Sequence, residues 1–189
     1  TSWNPNASNQ VLALALDGST VYAGGDFLAV GGAARSRIAA LDVTTGAATA
    51  WDPSAYGTVN GLATAPGVVY AAGAFDGMGG VTRNNLAAFD VVSGNATPWD
   101  PNANDQVQAL AIDGGTVYAG GNFAQVAGQA RSNLAGLDRA TGPATAWHPG
   151  ADGEVPSLAI PGGTIYVGGA FSTAGGAGRN NLAEIDLGT

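Results

Sequence analysis

Apolar positions in this chain fall in runs of five to seven residues, rich in Val, Tyr and Leu and broken by Gly and Pro every few positions. That spacing predicts short strands and leaves no room for helices. In the third quarter of the chain, residues 106–112 form one run, Asp113-Gly114-Gly115 turns it and residues 116–120 run back, which reads as a hairpin. A longer glycine-containing loop, 122–130, leads to a third strand at 133–138, and Thr141-Gly142 turns the chain into a fourth at 144–147. The first strand alternates by size rather than by polarity. Val107, Ala109 and Ala111 point to one side and Leu110 and Ile112 to the other, just as Val11, Ala13 and Ala15 oppose Leu12, Leu14 and Leu16. Neither face suits solvent, so the small face of one sheet is expected to receive the large face of the next.

The unit recurs. Trp3, Trp51, Trp99 and Trp147 stand 48 residues apart without insertion or deletion. The same offset links Tyr22, Tyr70, Tyr118 and Tyr166, then Phe27, Phe75, Phe123 and Phe171, so that twelve of fourteen aromatics recur in phase. It also links Arg35, Arg83, Arg131 and Arg179, and Asp42, Asp90, Asp138 and Asp186. The copies are 3–50, 51–98, 99–146 and 147–189 together with 1–2, in a single domain without a linker. A lone four-stranded sheet cannot bury two apolar faces, whereas a ring of such sheets can, and this predicts an all-β, four-bladed β-propeller. The opening Thr1-Ser2-Trp3 reads as the fourth strand of the last copy, so closure is expected where it joins residues 181–186. The alternative is half of an eight-bladed ring formed by two copies of the chain.

Composition narrows the partners. Only 11% of residues are charged against an average near ~25%, there is no Lys, and six Arg against fourteen acidic residues leave a net charge of −8. Such a surface repels phosphate backbones, so nucleic acid is not an expected partner. Zero Cys excludes disulfides, thiolate zinc sites and thiol catalysis. No apolar run approaches the ~18 residues of a spanning segment, so membrane insertion is not expected, and nothing calls for a cofactor or metal.

Polar residues present in every copy are explained by the sheet before any site, because catalysis needs one constellation and architecture needs four. Each repeated Arg is expected to meet an Asp, a loop carbonyl or a Trp face. Asp42, Asp90 and Asp138 each precede a Gly by four residues, where a carboxylate accepting backbone N–H bonds fixes a turn. Function should lie where the copies differ. The connection after each Trp carries Asp52 and Tyr56, then Asp100, Asn104 and Asp105, then His148, Asp152 and Glu154, and the loop after the repeated Gly25, Gly73, Gly121 and Gly169 carries Asp76 in the second copy. Both loops are expected on one rim, making these nine residues the candidate binding positions. His148 stands where other copies have Asn4, Asp52 and Asp100, which argues for loop variation over a general base. The chain contains no G-x-S-x-G, P-loop or H-E-x-x-H pattern.

Gly120-Gly121-Asn122-Phe123, then Arg131-Ser132-Asn133-Leu134-Ala135, then Asp138 to Trp147, resembles the kelch-like, delta-sixty-type repeats of bacterial surface and secreted proteins, and the resemblance covers all four copies. The segment from Ala40 to Trp51 is also similar to the tryptophan motif of quinoprotein dehydrogenases, which is structural there too. The resemblance implies a propeller and an extracellular or cell-surface location. The expected function is a non-enzymatic binding or scaffold module that presents its rim to a protein or glycan, as a monomer or, in an eight-bladed ring, a dimer. The alternatives are a sugar-processing or quinone-linked enzyme using rim acids such as Asp100, Asp105 and Asp152, and an engineered or excised array without an evolved ligand.

Overall fold

The structure is a computed structural model that describes residues 3–188. All of its regular structure is β, and the chain divides into two compact units, Thr1–Pro98 and Trp99–Thr189, at the boundary between the second and third copies.

In the first unit, copy one contains β1 (Val11–Asp17), β2 (Thr20–Gly25), β3 (Ala29–Val30), β4 (Ala33–Ala34) and β5 (Ile38–Asp42). Strands β1, β2 and β5 form an antiparallel sheet with β2 in the middle, and β3 and β4 form a small separate hairpin. Copy two contains β6 (Ala55–Ala65), β7 (Val68–Met78), β8 (Val81–Thr82) and β9 (Leu86–Asp90), with β6, β8 and β9 all paired to β7. In the second unit, β10 (Val107–Asp113), β11 (Thr116–Gly121) and β14 (Leu134–Asp138) repeat the first sheet, as do β15 (Ser157–Ala159), β16 (Thr164–Gly168) and β19 (Leu182–Asp186). The hairpins β12 (Gln125–Val126) with β13 (Gln129–Ala130), and β17 (Thr173–Ala174) with β18 (Ala177–Gly178), complete these copies. The loop expected at 122–130 therefore contains a hairpin of its own.

The expected fourth strand is less than a strand. The segments before each Trp make single bridges, Leu41 to Ala48, Phe89 to Ala96 and Leu137 to Ala144, supplemented by bonds such as Thr49 N–H to Ala40 O at 2.9 Å and Thr145 N–H to Gly136 O at 2.8 Å. Pro53, Pro101 and Pro149 follow each Trp by two residues and have no N–H to carry a ladder further. The closure expected through Thr1-Ser2 lies outside the described residues.

Packing follows the side-chain alternation. Ile38 and Ala40 of β5 join a core with Leu62, Val59, Phe75 and Trp51, and Ala13 and Ala15 of β1 pack against it, so the small face of copy one receives the large face of copy two. Ala39 and Leu41 turn the other way into a second core with Phe27 and Val30. In the second unit, Leu158 and Ile160 of copy four pack in the same manner against a core containing Tyr118 and Leu134 of copy three. The large face of copy one departs from expectation: Leu12, Leu14 and Leu16 are exposed.

The indoles fasten these junctions. Trp51 follows a segment bonded to β5 of copy one, yet its Nε1–H donates to the carbonyl of Asp90 in copy two at 2.9 Å, and its ring meets Tyr22 edge-on at 5.1 Å. Trp147 does the same between copies three and four, donating to Asp186 O at 3.0 Å with Tyr118 at 4.9 Å. Trp51→Phe and Trp147→Phe keep most of the apolar area but leave a part-buried carbonyl without its donor and a void beside the Tyr ring. Each is expected to cost about 2–4 kcal/mol in urea unfolding, while Trp3→Phe, at a less buried indole, costs less.

Candidate functional site

The repeated polar residues come first, since they define what is left over for a ligand. Asp42 accepts the N–H groups of Thr44 and Thr45 at 3.0 and 2.7 Å and the Thr45 hydroxyl at 2.9 Å. Asp90 clasps Val92 and Ser93 in the same way, and Asp138 clasps Ala140 and Thr141. These donors favour the ionised form and hold all three carboxyls below the usual range, led by the Thr45 and Ser93 backbone N–H groups at Asp42 and Asp90 and by the Thr141 hydroxyl at Asp138. Asp186 accepts the Gly188 N–H at 2.6 Å.

Of the partners expected for the repeated Arg, the loop carbonyl is the one each copy uses. Arg35, Arg83 and Arg131 donate through Nη1 to the residue before them and through Nη2 to Thr49, Thr97 and Thr145 O, binding the pre-Trp segment across the sheet. Arg179 donates to Gly178 O at 3.0 Å, and Arg35 also lies 3.6 Å from Asp52. These guanidinium groups are held by the blade itself.

The two variable loops of each copy do meet. Ser8 Oγ accepts the N–H groups of Leu28 and Ala29, both at 3.0 Å. Asn104 Oδ1 does so for Ala124 and Gln125 at 3.0 and 2.8 Å, and Asp152 Oδ1 for Ser172 and Thr173, both at 2.8 Å. Three different residue types thus perform one task, stapling the loop after the Trp to the loop after Gly-Gly. Asp152 goes further: the Ser172 hydroxyl donates to its Oδ2 at 2.5 Å, and this bond, with the two backbone donors, brings its carboxyl down to about 2. Asn104 and Asp152, placed among candidate binding positions by sequence, are therefore committed to internal bonds.

The other candidates divide. Asp105 caps the N–H of Gln106 at 2.7 Å, and Asp52 accepts from the Ser54 hydroxyl at 3.0 Å. His148 Nδ1 sits 2.5 Å from Ala146 O and lines a shallow recess with Pro149 and Gly175. Asp100 lines the corresponding recess of copy three with Pro101 and Gly128, and Asn4 that of copy one with Pro5 and Gly31. A recess at one repeat position in three copies belongs to the blade. Glu154 is exposed. Among the described residues, no group of three His, Asp or Glu side chains is arranged to hold a metal ion.

Tyr56 stands apart. It occupies the position of Ser8, Asn104 and Asp152, but its phenol cannot staple two amides and instead turns outward, 63% exposed. In its place the backbone pairs, Ala55 with Met78 and Gly57 with Phe75, so β6 and β7 each reach eleven residues where other copies stop short. The ring is held against bare glycine: a Cβ on Gly77 would fall 2.7 Å from Tyr56 Cδ2. Val81, 41% exposed, and the exposed Asp76 flank this stretch. Copy two thus presents an aromatic face, an aliphatic edge and a carboxylate on one long hairpin, with Tyr56 at a shift of register between Ala55 and Gly57.

Comparison with known proteins supports the architecture. A family model described as a domain of unknown function (DUF5122) beta-propeller matches residues 161–187. The crystal structure of the computationally designed Ika4 protein is similar over 96% of this chain and 94% of its own, at 18% identity and a TM-score of 0.66. BamB from Moraxella catarrhalis is similar over 94% of this chain and 49% of its own, at 22% identity and a TM-score of 0.53, so the chain spans about half the length of that protein. No curated protein matches the sequence. The fold is an all-β propeller.

The Asp152 staple has a pH signature. Its carboxyl is lowered in the folded state, so the stabilisation it gives is present above the ordinary Asp range near ~4 and is lost as pH falls toward about 2. Thermal unfolding followed from pH 6 to pH 2 is expected to show a falling midpoint, with a shallower fall in Asp152→Asn, which keeps the amide acceptor that Asn104 already provides in copy three. Asp152→Ala is expected to lower the midpoint at neutral pH as well.

Proposed function

We propose that the chain is a non-enzymatic binding or scaffold module of a secreted or cell-surface protein, meeting a protein or glycan partner through the rim of its second copy. The observation that carries this reading is Tyr56. At the one position where three copies spend a polar side chain on holding their loops together, the second copy spends an aromatic on solvent. A Tyr ring fixed over glycine offers broad contact area and a hydroxyl at small conformational cost, which is what recognition surfaces use. Asp76 beside it supplies an acceptor for a sugar hydroxyl or a peptide N–H. The recurrence of a Gly, an Arg and an Asp at fixed repeat positions in all four copies, the absence of Lys and the low charge suit a rigid extracellular scaffold.

A second reading is a repeat array without an evolved ligand, favoured by the unbroken 48-residue spacing and by the likeness to the designed Ika4 protein. Tyr56→Ser separates the two, because Ser restores the residue that copy one uses as a staple and so spares the fold. Labelled wild-type protein applied to a broad array of immobilised glycans and extracellular proteins is expected to bind a restricted set, and Tyr56→Ser to lose that set by tenfold or more with an unchanged or raised melting temperature. Binding that survives the substitution moves the site elsewhere, and an array silent to the wild type favours the second reading.

A further inference from the structure

Tyr56 belongs to a set of departures from the repeat that fall together at one place. Gly77 stands where the other copies have Ala29, Gln125 and Thr173, and a Cβ there would lie 2.7 Å from Tyr56 Cδ2, so the aromatic and the glycine that makes room for it occur in the same copy. Asp76 stands where the others have Leu28, Ala124 and Ser172. From the pair Ala55 and Met78 to the pair Gly57 and Phe75 the register advances two residues on β6 and three on β7, so Tyr56 stands across a bulge from Asp76 and Gly77 together. Asp76 is exposed, and among the described residues its carboxylate has no hydrogen bond or ion pair. The place lies inside the first unit, toward copy one: Ala55 N–H donates to Ser36 O at 2.9 Å, and Arg37 Nη1 donates to Ala55 O at 3.3 Å. Ser8, Asn104 and Asp152, the counterparts of Tyr56, are exposed as well, so the exposure belongs to the rim position and not to a chain end.

We infer that the Tyr56 platform takes an arginine-bearing peptide segment of a protein partner, with the incoming guanidinium over the ring and bonded to the Asp76 carboxylate. This rests on the rim reading above and chooses protein over glycan for it. Charge carries the choice. The chain has a net charge of −8 and no Lys, and its own Arg side chains near the platform are spent internally, Arg35 and Arg83 on loop carbonyls and Arg37 on Asp26. A cation approaching the rim is therefore drawn by the field of the whole chain and meets a carboxylate with no partner. A planar guanidinium suits both groups, because it stacks on an aromatic ring while its edge forks to a carboxylate. A neutral glycan would use the ring and the acceptor but none of the charge. One group opposes: the Arg37 guanidinium stands on the copy-one side of Tyr56, and its pairing through Nε with Asp26 Oδ1 at 3.2 Å offsets its repulsion.

Retention of the labelled chain on immobilised random-sequence peptides with arginine at alternate positions tests this, beside the same peptides with uncharged citrulline and a set of neutral glycans, with the melting temperature as the folding check. The wild type is expected to bind the arginine peptides, to bind the citrulline peptides about fivefold less or weaker still, and to let go as salt rises. Tyr56→Ser, which leaves the net charge unchanged, is expected to lose as much, and Tyr56→Phe to bind like the wild type. Asp76→Asn is expected to weaken binding several-fold. Asp17→Asn makes the same charge change beside Leu16, whose carbonyl accepts the Thr64 hydroxyl at the far end of β6, and is expected to do far less. Arg37→Asn, which installs the residue of the other three copies, is expected to tighten binding. Arginine binding that survives Tyr56→Ser is attraction to bulk charge and overturns the inference, as does equal binding of arginine and citrulline peptides. Tyr56-dependent retention on the glycans and not on the arginine peptides overturns it while the rim reading stands, and silence toward all three sets overturns both.

Discussion

The interaction on which the blades depend is a single N–H to O bond per copy, from an indole to the carbonyl of the Asp that lies 39 residues further on. It works because the same Asp is doubly employed. Its side chain gathers the N–H groups of the next turn, which fixes the backbone, and a fixed backbone presents its carbonyl to the indole in one direction only. The guanidinium of Arg35 or Arg131 then ties down the stretch leading into the next Trp. Asp, Trp and Arg are thus parts of one device.

That device was readable in the chain because it uses the same residue at the same place each time. Asp42, Asp90 and Asp138 announce their turns by a Gly four residues on, and the alternation of Ala13 and Ala15 with Leu14 announces which face packs on which. The loop staple was not readable. Ser8, Asn104 and Asp152 share an acceptor oxygen and nothing else that an identity search would register, so two of them looked like free rim groups. The signal that could have found them is acceptor capacity at a fixed repeat position rather than residue identity.

Two other features escaped for similar reasons. Asn85, Asn133 and Asn181 hold φ near +64°, a left-handed conformation that Asn accepts more readily than most residues, but Arg37 occupies that place in copy one at the same φ and hid the pattern. The roles match nonetheless: Asn133 Nδ2 donates to Ala151 O and Arg37 Nη1 to Ala55 O, in each case 18 residues on. The fourth strand was overread, because apolar residues before a Trp look like a strand whether or not a neighbour offers a full ladder.

The covalent repeat and the folded sheet are out of step, since the stretch ahead of Trp51 is bonded to the sheet of copy one while its ring is pinned to copy two. Any cassette cut from such a gene at the Trp codon therefore encodes one half of each of two junctions. Unequal crossover can add or delete cassettes without inventing a new contact, because every product still begins with a plug and finishes with a socket.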